Sequence, residues 1–189
     1  MNTIIQQTSS ARKLTVKDIA YISLFTALIA ICSWISIPTT VPFTMQTFAI
    51  FVAVGALGIR RGTLSIMIYL LLGAIGVPVF AGFSAGLGVL IGNTGGYLIG
   101  FVFSAIVTGT IIYYFGNKFW VMLLAMILGL VVCYIFGTAW FIYFYARTSG
   151  AIGVMTALTW CVFPFIIPDI MKIVLAIVVV KRVEKNVKL

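Results

Sequence analysis

Histidine is missing from this sequence of 189 residues, and acidic side chains nearly so: Asp18, Asp169 and Glu184 are the only three. Without imidazole the chain lacks the commonest metal ligand and the side chain whose ordinary pKa suits proton transfer near neutrality. Asp169 is the sole acid between Asp18 and Glu184, so a paired-carboxylate or metal-assisted hydrolytic enzyme lacks its parts. No Lys or Arg occurs between Arg61 and Lys118. The Gly-rich stretch in that interval is therefore not a phosphate loop, which needs G-x-x-x-x-G-K-[ST]. Cys32, Cys133 and Cys161 are widely spaced in apolar surroundings, as packing cysteines are, and suggest neither a metal centre nor a disulfide framework. A non-enzymatic protein without a cofactor is expected.

What is present is hydrocarbon. The chain is 63% hydrophobic and 8% charged, with a mean hydropathy of +1.24, the composition of a membrane domain. A net charge of +9 would suggest nucleic acid in a soluble protein. Here the basic residues fall in short loops and at the ends, so they read as topology signals and as contacts to anionic membrane lipid. No nucleic-acid partner is expected. The first apolar run is too long for a signal-peptide core and reads as an uncleaved first helix.

Six spanning helices can be drawn, over about 18–37, 44–59, 62–76, 94–116, 118–145 and 167–183. The second and third are short of the roughly 20 residues that an unaided crossing takes. A further apolar stretch near 151–161 suits a re-entrant or interfacial helix. The division is a polar segment 1–17, a six-helix membrane domain 18–183 and a tail 184–189. With six spans, Arg12, Lys13, Lys17, Arg60, Arg61, Lys118, Lys181, Arg182, Lys185 and Lys188 fall on one side and Arg147 alone on the other. Ten against one places both termini in the cytoplasm of a cell whose plasma membrane holds the chain. Four irregular segments, 38–46, 77–97, 137–141 and 163–172, then gather at the outer side. Irregular backbone at membrane depth is tolerated where protein or a cavity surrounds it, so a pocket opening outward is expected.

The most informative residues are Asp169 and Lys172, an acid and a base inside one of the most apolar stretches of the chain. Ionisable residues in a membrane segment are functional by default, each costing roughly 2.5–3.5 kcal/mol on insertion scales. Pro168 suits the first position of a helix, so Asp169 is expected to open helix six. The i, i+3 spacing puts Lys172 on the same face, leaning back towards it. The plainer alternative is a structural ion pair. Around them, Gly82 and the glycines up to Gly96 permit close backbone approach to a ligand, with Asn93 and Tyr97 as pocket groups and Gly96 and Gly100 for helix packing. Thr44 and Gln46 offer neutral hydrogen bonds beside two stiffening prolines. Trp140, beside Gly137 and Thr138, is the tryptophan best placed to pack on a ligand ring; the others suit an interfacial belt. Ala20, Ser23, Ala27 and Ala30 form a small-residue stripe along helix one, fit for contact within the bundle or for docking a separate membrane subunit.

Taken in order, Val41-Pro-Phe-Thr-Met-Gln46, Gly76-Val-Pro-Val-Phe-Ala-Gly-Phe83 with the Gly-rich run after it, Thr94-Gly-Gly-Tyr-Leu-Ile-Gly100 and Pro168-Asp-Ile-Met-Lys172 resemble the BioY family. These are the biotin-specific substrate-binding (S) components of energy-coupling factor (ECF) transporters. The resemblance covers the chain from helix one to helix six. It implies an all-α fold of six transmembrane helices, biotin binding from the outer side, and partnership with a transmembrane coupling subunit and two ABC-type ATPases. It also implies that the component topples within the membrane during transport. The stripe on helix one resembles the surface by which S components dock to the coupling subunit. One departure stands out: Asn93 occupies a place where the family pattern leads one to expect proline.

Biotin suits the residues. Asp169 or Asn93 can accept from its ureido N–H groups, Lys172 can neutralise its carboxylate, and Phe43, Phe80, Trp140 and Tyr97 can cover its ring and tail. A stand-alone secondary carrier for biotin or a small carboxylate is the competing expectation. Such carriers often show inverted repeats, and none is convincing here.

Overall fold

The computed structural model describes residues 14–186, so the expectations that rest on Arg12, Lys13 and Lys188 lie outside the described residues. Helix α1, Val16–Trp34, opens on a capping box. Thr15 Oγ1 accepts from the Asp18 N–H at 3.2 Å, and the Asp18 carboxylate accepts from the Thr15 N–H at 2.8 Å, so two backbone donors at the helix start are satisfied reciprocally. The same carboxylate meets the Arg61 guanidinium at 2.6 Å. Helix one was expected to run to Ile37; instead it stops at Trp34. Ser36–Ile37 (β1) then pairs antiparallel with Phe43–Thr44 (β2), Ser36 opposite Thr44. The all-α expectation thus misses one small hairpin.

Helix α2, Gln46–Ala74, breaks at Gly58, whose φ of 76° and ψ of 176° are not helical. A straight helix would hold Val54 and Gly62 about 12 Å apart. Instead a methyl group added to Gly62 would lie 2.7 Å from the Val54 Cα, and the side chains of Gln46 and Tyr69 hydrogen bond at 2.9 Å. The chain therefore reverses at Gly58, and its arms, 46–57 and 59–74, run antiparallel. The arms correspond to the expected second and third helices, with the expected two-residue gap at 60–61 replaced by a single glycine at positive φ, Gly58. At about 18 and 24 Å, neither arm alone matches a hydrocarbon core of about 30 Å. The missing depth is filled by the 36–45 hairpin and by 77–94, which holds a 3-10 turn at Ala81–Phe83 and helix α3, Leu87–Ile91.

Helices α4, Gly95–Phe115, and α5, Phe119–Thr148, form a tight pair. Glycine faces a side chain in both directions: Gly96 lies against Trp140 and Gly100 against Cys133, while Gly137 lies against Tyr97 and Gly129 against Thr108. Small residues at the contact are what let membrane helices approach without a hydrophobic driving force between them, so the packing expected of Gly96 and Gly100 is found. The apolar stretch near 151–161 forms a short helix, α6, Val154–Cys161.

Helix α7, Phe163–Asn186, corrects an expectation. It begins at Phe163, so Pro168 is the sixth residue of the helix and Asp169 stands in its second turn. Pro164, at the second position, is the proline that occupies a place where no intrahelical N–H bond is needed. Pro168 removes only the bond to the Pro164 carbonyl, a gap that membrane helices accommodate.

The core runs through the middle of the bundle, with Ile29, Ile50, Ile66, Met126 and Ile177 inaccessible or nearly so. Among the described residues five helices, α1, α2, α4, α5 and α7, are long and apolar enough to cross a membrane; the reversal in α2 gives six apolar arms. Basic residues and two of the acids gather at the end that carries the Gly58 turn, where Arg61 meets Asp18, and Glu184 bonds both Asn117 and Lys181. Replacing Gly62 with Val should lower the Tm of the detergent-purified protein by several degrees, because the new side chain meets backbone, and overpacking costs about 1–3 kcal/mol. Gly88→Ala, which meets nothing within 4 Å, should leave it unchanged.

Candidate functional site

At the opposite end, a cavity of ≈ 750 Å³, its open mouth included, lies between α2, α4, α5 and α7 beneath the 36–45 and 77–94 segments. Each wall has a local cause. The α4 wall presents Tyr97, Leu98 and Phe101, spaced at 1, 3 and 4 as one helical face requires. The Phe80 ring drops onto Gly73 and meets Tyr69 edge-on at 5.5 Å, fixing the loop that roofs the site. That loop is tied to α1 by the Ser33 hydroxyl, which donates to the Val79 carbonyl, and by the Trp34 indole, which donates to the Pro78 carbonyl at 2.9 Å.

Asp169 and Lys172 line this cavity and are both nearly buried. The Lys172 ammonium donates to Asp169 Oδ1 at 2.8 Å, to the Thr44 carbonyl at 2.7 Å and to Thr47 Oγ1 at 3.4 Å. The Thr47 hydroxyl donates to Asp169 Oδ1 at 3.0 Å, and the Tyr134 hydroxyl to Oδ2 at 2.6 Å. A lysine has three N–H donors and a carboxylate about four acceptor sites. Lys172 is thus fully used by the protein, whereas Asp169 keeps about one acceptor direction. Beneath the ammonium lies the Phe43 ring, 4.0 Å from Nζ to centroid, itself stacked on Phe165 at 6.0 Å. The cation–π contact further offsets the desolvation of a buried charge.

The structure brings together most of the residues singled out from sequence. Thr44, Gln46, Phe80, Tyr97, Asp169 and Lys172 line the cavity, and Phe43 packs against it through Lys172. Gln46 gives its amide N–H to Tyr69, and its carbonyl oxygen has no hydrogen bond among the described residues. Tyr97 joins its hydroxyl to that of Thr138 at 2.8 Å. Phe43 itself and three more residues fall outside the lining. Gly82 is exposed in the roof turn at φ 65°. Asn93 is half-buried in the bend before α4. Trp140 stacks on Phe144 at 4.8 Å and donates to the Gly92 carbonyl at 3.0 Å, so it braces the 92–96 bend from behind rather than facing the cavity. On α1, Ala20, Ser23 and Ala27 are exposed, while Ala30 is buried.

Sequence reasoning passed over Thr47, Tyr134 and Phe165. Thr47 follows Gln46 directly, and Tyr134 lies three and four residues before Gly137 and Thr138 on one face of α5, so helical spacing carried a signal. Their partner, Asp169, is 122 and 35 residues away, a separation no local pattern reveals. Cys133 and Cys161, read as packing residues, are buried and also line the cavity.

A profile described as the BioY family matches residues 6–189. A probable biotin transporter BioY of Pyrococcus horikoshii is 37% identical over 90% of this chain and 98% of its own length. The biotin transporter BioY of Thermotoga maritima is 39% identical over 86% of this chain and 92% of its own. Among solved structures, the S-component for biotin from an ECF-type ABC transporter superposes with a TM-score of 0.82 at 29% identity, covering 91% of this chain and 93% of that one.

The buried pair sets a stability test. Removing one partner of such a pair strands a charge at about 3–5 kcal/mol, whereas removing both can be nearly neutral. Lys172→Met alone should therefore lower the Tm further than the double change Asp169→Asn with Lys172→Met, measured on detergent-purified protein.

Proposed function

The chain belongs to the BioY family, and on that premise we propose that it is the biotin-binding S component of an ECF-type vitamin uptake transporter. It captures biotin from the outer side and hands it on through an ATP-driven complex. The observation that carries the site assignment is the incomplete carboxylate at the cavity wall. Asp169 retains about one acceptor direction, and Gln46, which lines the same cavity, has a side-chain carbonyl with no hydrogen bond among the described residues. A ureido group brings two N–H donors to meet these two acceptors. Phe80, Tyr97 and Phe101 supply apolar walls for the thioether ring. Lys172 has no free N–H, so its part is to hold the Asp169 carboxylate in place and aimed at the ligand. Asn93, Gly82 and Trp140 act from the roof and the bend rather than by contact.

The six apolar arms cross the membrane with both termini inside, residues 18–183 forming the membrane domain. This reading rests on the ten-to-one division of basic residues and on their gathering at the Gly58 end. The exposed small residues Ala20, Ser23 and Ala27 form the docking face for a transmembrane coupling subunit that bears two ATPases, since this chain carries no nucleotide motif.

Isothermal titration of the detergent-purified chain tests the ligand. Biotin and desthiobiotin, which share the ureido group, should bind; lipoate, which lacks it, should not. Equal heats for all three, or none for biotin, would overturn the assignment. Asp169→Asn and Gln46→Leu should each weaken biotin by roughly tenfold or more, the loss of a buried hydrogen bond to a charged or amide acceptor. Ala27→Trp should leave biotin binding intact and reduce uptake in vesicles holding the full complex. Equal loss of both would place that face inside the bundle.

A further inference from the structure

Charge is distributed unevenly around the ligand cavity. Gln46, Asp169 and Lys172 on its wall are each 5% exposed or less, so they mark its deep side. The 77–94 segment lines it with Ala81, Ser84, Val89 and Thr94, all half-buried, and the neighbouring Gly82, Phe83, Leu87 and Gly88 are exposed. The open mouth lies on that side.

No cation lines the mouth. The chain has no Lys or Arg between Lys17 and Arg60, nor between Arg61 and Lys118, so the 36–45 and 77–94 segments that roof the cavity carry none. Lys172 is the one cation among the described lining residues. Its three N–H groups are used by the Thr44 carbonyl, Thr47 and Asp169. An acid tail folded back onto Lys172 would displace one of these bonds. It would also set a second carboxylate beside Asp169, two negative charges on one ammonium, an arrangement that like-charge repulsion disfavours. A buried carboxylate without a partner of its own is costlier still. What the roof offers is neutral: the Ser84 hydroxyl, already donating to the Ala81 carbonyl at 2.8 Å, and the Thr94 hydroxyl.

Resting on the assignment of the ureido ring to Asp169 and Gln46, we infer that this cavity selects the ring and not the acid. The tail runs to the mouth and ends in water, so neutral amides of the tail, the conjugate with the ε-amine of lysine included, are ligands of the same site. A carboxylate at the mouth keeps its hydration and gains no ion pair. Replacing it by an amide then removes nothing that the protein supplies, and a conjugated group has the open side of the cavity to occupy.

Isothermal titration of the detergent-purified full chain with biotin, its primary amide and its ε-lysine amide tests this. The three should bind within about threefold of one another. Affinity for the acid should also change by less than about twofold between roughly 0.05 and 0.5 M salt, since an ion pair at an exposed mouth would be screened. Thr94→Lys, which sets a cation at the mouth, should make the acid preferred over the amides by about threefold or more, the scale of an exposed ion pair. Ala81→Lys gives a second such variant should the first fail to elute as a single folded species. If either amide binds the unaltered chain roughly tenfold or more weakly than the acid, the inference is overturned while the function proposed above stands. Failure of biotin itself to bind would refute that function and the inference with it. A preference unmoved by an added lysine would place the tail away from the mouth and overturn the inference equally.

Discussion

Three helices meet on one carboxylate. Asp169 of α7 receives Thr47 from α2, Tyr134 from α5 and Lys172 from its own helix, and Lys172 in turn grips the Thr44 carbonyl of the hairpin strand β2. An unpaired carboxylate in hydrocarbon would be expelled or protonated, so these donors are a condition of its being there at all. In satisfying it they fix where α2, α5 and α7 stand around the cavity. They also fix the height of the 36–45 segment over its mouth. The polar network and the cavity are therefore one construction: the gap between the helices persists because the groups that define it are held apart by hydrogen bonds of set length.

The other half of the construction is close packing of the helices. Glycines on α4 and α5 accept side chains of the facing helix, among them Tyr97 and Cys133 of the cavity wall, and the Gly58 reversal folds α2 onto itself. These contacts draw the helices together. Short arms in α2 leave depth to be filled, and the filling segments carry Phe80 and the roof turn. Economy of helix length at one end thus supplies irregular backbone at the other, where backbone and aromatic groups can reach a bound molecule.

Much of this was legible in the sequence, and the reasons differ from residue to residue. Asp169 and Lys172 stood out because the chain has almost no other charge in its apolar stretches, and Tyr97, Phe80, Thr44 and Gln46 lay in segments whose proline and glycine marked them as irregular. The start of α7 was misplaced because Pro168 is a plausible first-turn residue, and Pro164, four residues earlier, is equally so. Trp140 was drawn to the ligand by its neighbours Gly137 and Thr138, yet helical geometry turns it about 60° from Gly137 and about 160° from Thr138, onto Gly96. Thr47 and Tyr134 were invisible because hydrogen bonds across 122 and 35 residues of chain leave no local periodicity.

Lys172 and Asp169 together carry no net charge. A lone acid at this depth would feel the transmembrane potential, about 2.3 kcal/mol per elementary charge for each 100 mV fully crossed. The salt-bridged pair presents the field with a dipole a few ångströms long instead. Any movement of this part of the protein across the field, empty, is then electrically almost silent, and when a ligand is aboard the displaced charge is the ligand's own.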